Sequence, residues 1–312
     1  MSDTALVVGE ALIDIVAHQG QALGEHVGGS PLNVAVGLAL LGRRVEFLTW
    51  IGTDRRGQRI ADYLHDSGVH LVAASTGASR TATAFAELDE NGSATYTFDI
   101  DWQISSSVSP AQPLVLHTGS IATALEPGST GVDELVAEHN RTATITFDPN
   151  IRSAFFENPA QALSRVETVV ARSDVVKASD EDMRWLEPDV APEELAARWL
   201  SLGPAIVAVT FGADGSYAIC ADGDLRIPAY PTEVVDTVGA GDSFMTGLID
   251  ALWDAGLLGA DRRGQLRDIP ADTLRRVVQI AALSSALTVA RPGAALPDRA
   301  TRDRAAERLG AD

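Results

Sequence analysis

Residues 236–249 read DTVGAGDSFMTGLI. Three small residues, Gly239, Ala240 and Gly241, lead into Asp242, where an apolar helical pattern begins. The first N–H groups of a helix have no partner inside it and lie at the positive end of its dipole. Glycines let a ligand approach that backbone closely, so such a start is an anion site. A carboxylate beside a bound phosphate is badly placed to bind it. It is well placed to take a proton from a hydroxyl that attacks it, as in general-base phosphoryl transfer with backbone N–H groups holding the transferred charge. Taken alone, the stretch reads more readily as a capped helix, since Asp is a favoured N-cap and the glycines make a turn.

Working outward, short apolar runs recur, each ending in small or polar residues: TALVVGE (4–10), RRVEFLTWIG (43–52), PLVLHTGS (113–120), TATITFDPN (142–150), SDVVKASDED (173–182) and PAIVAVTFGADG (204–215). Near-continuous Val, Ile and Leu predicts strands buried on both faces. Helical patterns lie between them, as in PLNVAVGLALLG (31–42) and APEELAARWLSLG (191–203). The alternation predicts an α/β fold with a mainly parallel central sheet, whose ligands bind beyond the carboxyl ends of the strands. Residues 81–100 break the pattern with strand-like residues on either side of Asn91-Gly92, a hairpin signal. A β lid is expected from segments near 11–27 and 80–101, within one domain spanning 1–312. The tail ATRDRAAERLGAD (300–312) reads as a solvated terminal helix.

The 312 residues carry a formal net charge of −19. That argues against nucleic-acid binding, which needs a basic face. The single cysteine, Cys220, excludes an intrachain disulfide and suits a reducing compartment, with a small buried residue as its ordinary role. The N-terminus lacks a signal-type pattern, and the longest apolar stretch, VVQIAALSSALTVA (277–290), is too short and polar to span a bilayer. A cytoplasmic protein with no membrane partner is expected. Lys177 is the only lysine and no glycines precede it, so there is no Walker loop, and the glycine-rich loop of protein kinases is missing as well. The six histidines have no metal-ligand spacing; His117, at a strand end, reads as packed or surface.

A second motif shifts the balance at Asp242. Residues 28–52 read GGSPLNVAVGLALLGRRVEFLTWIG. Asn33 either caps the helix that follows or offers a donor and an acceptor to sugar hydroxyls. Together the two motifs resemble the ribokinase-like (PfkB) carbohydrate kinases along nearly the whole chain. Gly28, Gly29, Asn33, Ala35, Gly42 and Gly52 meet one signature, and Asp236, Thr237, Gly239, Ala240, Gly241 and Asp242 the other. Thr246 departs from the second, where a smaller residue is usual.

The resemblance implies a three-layer α/β/α kinase with a small β lid, using ATP and Mg²⁺, with K⁺ as a further cation. It implies Asp242 as the base, residues 239–241 as the anion hole, and Asp14, Gly28, Gly29 and Asn33 at the sugar. KASDED (177–182) resembles the family's stretch near metal and phosphates, with Ser179 for the usual Asn and Asp182 for the usual Glu. It implies Lys177 and Ser179 near ATP and Asp182 on Mg²⁺ through water. Each acid there reads equally as a helix-start charge. VTFGADGS (209–216) implies Thr210, Gly212 and Gly215 at the nucleotide. ALTVARPGAA (286–295) with Asp236 implies a K⁺ site formed by carbonyls. Lid hairpins in the family often pair between subunits, so a homodimer through the lid is expected.

Within the family, GEALIDIV (9–16), FDPNIR (147–152) and VVKASDEDMRWLEP (175–188) look most like bacterial fructokinases. The expected reaction is transfer of the γ-phosphoryl group of ATP to a sugar primary hydroxyl, with fructose 6-phosphate as product. DPNIR also resembles kinases of 2-keto-3-deoxygluconate, where Arg152 would clamp a carboxylate; Asp14 leans against that, because it would repel one. Ribose and nucleosides are further alternatives. Two rivals from other classes stand beside these: a Schiff-base aldolase using Lys177, and a sugar or nucleotide sensor without turnover.

Overall fold

The structure is a computed structural model that describes residues 3–19, 21–88, 94–104 and 112–309. The first half runs through β1 (Thr4–Val8), β2 (Leu12–His18), β3 (Gln21–Gly28), α1 (Ser30–Leu40), β4 (Arg44–Leu48), β5 (Ile51–Gly52), α2 (Arg55–Asp66), β6 (His70–Leu71), β7 (Thr76–Ala78), β8 (Thr83–Leu88) and β9 (Ala94–Asp99). A βα series follows: β10 (Val115–Gly119), α3 (Gly128–His139), β11 (Thr144–Asp148), α4 (Pro159–Val170), β12 (Val175–Ser179), α5 (Asp180–Leu186), α6 (Pro192–Leu202) and β13 (Ile206–Thr210). The hairpin β14 (Ser216–Cys220) and β15 (Gly223–Ile227) leads to α7 (Ala240–Asp254), α8 (Arg263–Arg267), α9 (Ala271–Val289) and α10 (Arg299–Leu309).

Among the described residues, nine strands form the main sheet in the order β15-β14-β13-β12-β11-β10-β1-β4-β6. From β13 to β6 every neighbouring pair is parallel, and β14 and β15 add an antiparallel edge. Alternate side chains of each strand serve opposite faces. Ala5, Val7, Val115, Val175 and Ala208 pack with Leu248 and Leu252 of α7 and Val278 of α9. Leu6, Leu116 and Ile145 pack with Val132 and Leu135 of α3, while Val176 and Val207 meet α4 and α6 through Val166 and Trp199. The result is the three-layer α/β/α arrangement the alternation predicts. Burying such strands on both faces explains why they read as apolar runs instead of alternating ones.

The second sheet has the order β3-β2-β8-β9. Here β2 pairs in parallel with β8, and β8 antiparallel with β9, so two distant chain segments build one small sheet where the lid is expected. The Asn91-Gly92 turn lies outside the described residues. Glu25 on β3 pairs with Arg56 and Arg59 of α2, tying the lid to the body.

The tail differs from expectation. A helix forms, but it is not wholly solvated: Arg302 is only 4% exposed and reaches buried Asp250 on α7. One face of α10 is held by an ion pair that no apolar periodicity reports. Among the described residues, no helix is long and apolar enough to cross a membrane. Cys220 is buried, as its ordinary role requires.

Candidate active site

The N-termini of α1 and α7 start from glycines in left-handed or extended-positive backbone, Gly29 at φ 119° and Gly239 at φ 76°. An L side chain rarely adopts such angles, which accounts for glycine at both starts. Because Gly239 is the cap of α7, Asp242 stands at the third helical position and makes no cap bond. This overturns the reading of Asp242 as an N-cap. Its carboxylate is 6% exposed and turned towards α1. Ser30 Oγ donates to Oδ1 at 2.6 Å, and Asn33 Nδ2 donates to Oδ2 at 2.7 Å. The Thr246 hydroxyl donates to the backbone carbonyl of Asp242 at 2.8 Å, so the larger residue there is accommodated within the helix.

The Ala240 N–H turns back to Thr237 O at 3.2 Å, while among the described residues no acceptor takes the N–H groups of Gly241 and Asp242. Of residues 239–241, Ala240 is thus the one whose N–H already has an acceptor. Beneath them lies Lys177, 3% exposed, with Nζ 2.9 Å from Asp148 Oδ2. A Cβ at Gly241 would stand 2.7 Å from that ammonium, so a small residue is needed where the lysine meets the helix start.

Lys177 is thus enclosed, not presented to an open groove. Burial alone would lower its pKa, but Asp148, Asp242 and Asp182 surround it and raise it. A Schiff base needs a neutral, accessible amine, so the aldolase reading fails on this geometry. Burial pushes Asp148 up to about 6 against the opposing pull of Lys177. Its Oδ1 is buried without a hydrogen-bond partner. Next to it in the sheet, His117 is buried and pairs through Nδ1 with Thr146 Oγ1 at 3.0 Å. Burial and Lys177 push it down to about 3, which keeps the ring neutral.

On the lid side, Asp14 of β2 stands across from His26 of β3. A Cβ at Gly28 would fall 2.0 Å from Asp14 Oδ2, so Gly28 leaves room for the carboxylate. Burial raises Asp14 to about 6, and the charges of Arg152 and His26 oppose this. Glu10, buried just beyond β1, is raised by burial to about 7 and also feels Arg152. It accepts the Ala122 N–H at 3.0 Å. Arg152, the carboxylate clamp of the sugar-acid alternative, faces two carboxylates. Its Nη1 bonds Asn150 Oδ1 at 2.7 Å and the carbonyls of Asn150 and Ile151.

On the other side, Ser179 and Thr210 are register partners at the carboxyl ends of β12 and β13. Ser179 caps α5 by accepting the Asp182 N–H at 3.0 Å. Asp182 Oδ1 accepts the Ile151 N–H at 2.9 Å. Gly212 and Gly215 both have positive φ in the turn between β13 and β14. Asp236 accepts the N–H groups of Val238 at 3.0 Å and Gly293 at 2.8 Å, which hold its pKa below the usual range. It thereby joins the loop before α7 to the loop after α9. Among the described residues, no group of three or more His, Cys, Asp or Glu is arranged to hold a metal.

Three residues of this neighbourhood escaped sequence reasoning: Ser30, Glu10 and Asp148. Each lies inside a quoted motif. Ser30 reads as an ordinary helix-start serine, and only the contact with α7, more than 200 residues away, reveals its partner. Asp148 and Glu10 share one signal, an acid closing an apolar run at a strand end.

The model of the pfkB family carbohydrate kinases matches residues 2–301. A fructokinase of Rhizobium leguminosarum bv. trifolii is 32% identical over 259 residues, covering 79% of each chain. A fructokinase of Escherichia coli is 29% identical over 311 residues, covering 96% of this chain and 98% of that one. Among solved structures, a double mutant of fructokinase from Vibrio cholerae O395, bound to fructose, ADP and potassium ion, aligns with a TM-score of 0.82 at 27% identity, covering 97% and 99% of the two chains. Fructokinase from Xylella fastidiosa with bound ATP aligns at 0.84 and 25% identity, covering 99% and 100%. With the two helix starts joined at Asp242 and the match running from residue 2 to residue 301, the chain belongs to the pfkB family of carbohydrate kinases.

Proposed function

We propose that this carbohydrate kinase phosphorylates fructose at its 6-hydroxyl with ATP. The observation that carries the choice of sugar is the charge around Arg152. Its guanidinium faces Asp14 and Glu10 and bonds Asn150 and Ile151, so its charge is already answered before any ligand arrives. A sugar acid would bring a third carboxylate to that group and meet Asp14 as a like charge. A neutral sugar meets hydroxyl acceptors instead. The fructokinases among the similar proteins support the same choice.

In this reading Asp14 and Asn33 hold the sugar, with Gly28 and Gly29 letting the chain approach it. Asp242 removes the proton of the primary hydroxyl. The oxygen attacks the γ-phosphorus, the bond from that phosphorus to the bridging oxygen breaks, and ADP leaves. The N–H groups at the start of α7 receive the negative charge of the transferred group. Ser179, Thr210, Gly212 and Gly215 line the nucleotide side, and Lys177 compensates charge from beneath the helix start.

The acids also fit a hard cation. Asp148 Oδ1 has no partner, and Asp182 lies close enough to influence it electrostatically. Mg²⁺ is commonly held by one or two carboxylates with water and substrate phosphates. When bound, Mg²⁺ neutralises phosphate charge; Asp182, through water, is the residue to hold it. Asp236 and the carbonyls of the loop it braces are the place for K⁺.

We read the chain as one kinase domain with its lid, working in the cytoplasm. Leu23 and Tyr96 are exposed on lid strands and support a homodimer formed there. Light scattering on wild type and Tyr96→Arg checks that association: the variant should be a monomer.

The test of function is ATP consumption with Mg²⁺ and K⁺ against fructose, 2-keto-3-deoxygluconate, ribose, adenosine and buffer alone. Turnover is expected with fructose. Preference for the sugar acid would reassign Arg152 as a carboxylate clamp. Nucleotide binding without turnover on any of them would favour a sensor.

A further inference from the structure

We propose that Ser30 is the positioning residue of the base: its hydroxyl fixes one oxygen of Asp242 so that the other meets the sugar. The proposal rests on reading Asp242 as the base. Ser30 and Asn33 are three residues apart on α1, a spacing that puts both side chains on one helix face. From that face they address the carboxylate separately, Ser30 at Oδ1 (2.6 Å) and Asn33 at Oδ2 (2.7 Å).

The two donors differ in what else they can reach. Asn33 is half-buried, and its amide has a second N–H and a carbonyl to offer a ligand. It can exchange Asp242 for a sugar hydroxyl. Ser30 is 7% exposed and has a single proton, which Asp242 already accepts. When Asn33 turns to the sugar, the Ser30 bond stays and keeps the carboxylate plane from rotating. Oδ2 is then left to accept the substrate proton: the sugar O–H bond breaks, a new O–H bond forms at Oδ2, and Oδ1 remains the acceptor of Ser30. A hydroxyl suits this task, because its single proton orients the carboxylate through Oδ1 and leaves Oδ2 open.

Steady-state kinetics with saturating MgATP and varied fructose, or the sugar selected by the panel above, tests the role. Ser30→Ala should lower kcat about tenfold, leave the sugar KM within about twofold, and shift the melting temperature little. Ser30→Thr, which keeps the hydroxyl, should recover most of the loss. Should the alanine variant fail to fold, the nearly isosteric Ser30→Cys, a weak donor, carries the same expectation. A kcat of Ser30→Ala within twofold of wild type, while Asp242→Asn is inactive, overturns the proposal. So does a loss that appears in KM alone, or one that threonine does not recover in folded protein. Normal turnover by Asp242→Asn is a separate result: it removes the base reading itself, whatever Ser30→Ala does.

Discussion

Helix α7 carries two buried carboxylates, eight residues and about 12 Å apart along its axis. Asp250 has no exposed surface and is gripped by three arginines: Arg43 Nε at 2.6 Å, Arg299 Nη2 at 2.8 Å, and Arg302. Asp242 is nearly as buried, yet its direct partners are a serine hydroxyl and an asparagine amide. The three guanidinium groups bring charge to Asp250 and are themselves shared with Asp254 and Asp303. Neutral donors bring direction without charge. One helix therefore carries a buried acid held by cations and another, the proposed base, held by neutral donors.

The comparison is broken most directly at Asp242. Asp242→Asn should cut kcat by at least about 10²-fold with little change in the unfolding curve. Steady-state kinetics and a thermal melt check both halves, and near-normal turnover would remove Asp242 from the reaction. Asp250→Ala should do the reverse. Removing the buried carboxylate that three arginines share, which leaves them Asp254 and Asp303, should cost about 3–5 kcal/mol by chemical denaturation, with kcat of the folded fraction close to wild type. A stable but inactive Asp250→Ala would erase the division of labour.

Gly241→Ala is expected to act between these extremes. Its Cβ meets the Lys177 ammonium at 2.7 Å, so either the lysine or the helix start must move. A fall in kcat of about tenfold is expected at saturating sugar, with the melting temperature changed less than by Asp250→Ala.

The smallest effect concerns pH. Asp14 and Glu10 have folded-state pKa values of about 6 and about 7, above their ordinary 3.8 and 4.5. The fold thus favours their protonated forms. Their contribution is complete below the unfolded values and is lost as pH rises through about 6 and about 7. The melting temperature should fall by a few degrees, roughly, between pH 5 and 8 on their account, with a shallower slope in Asp14→Asn. Sugar binding runs the other way: a protonated Asp14 is a poorer acceptor, so the sugar KM should climb as pH drops below about 6. A flat KM profile would argue that Asp14 does not hold the sugar.

How far the sequence could be read follows from the range of each interaction. The strands of the main sheet were legible because burial on both faces writes itself into consecutive residues such as Val175-Val176 and Ile206–Val209. The lid was legible as strands on either side of a turn signal and as a run near residue 12. Asp242 and its glycines were legible as a helix start, but which residue caps it was not, and Gly239 takes that place. Contacts between distant segments were not legible. Ser30 meets Asp242 across 212 positions and Lys177 meets Asp148 across 29. Nor was the role of α10: its salt bridge to α7 uses charged residues that sequence patterning assigns to solvent.

That last helix carries a consequence for synthesis of the chain. Residues 299 and 302 provide two of the three cations that neutralise Asp250 in the interior of α7. On a ribosome, both are added well after α7 has been made. Until they are made, Asp250 has Arg43 but lacks the two cations of α10, so its burial is only partly compensated. α10 is therefore a late-made brace of α7, and a chain truncated before residue 299 should melt at a lower temperature than the 312-residue chain.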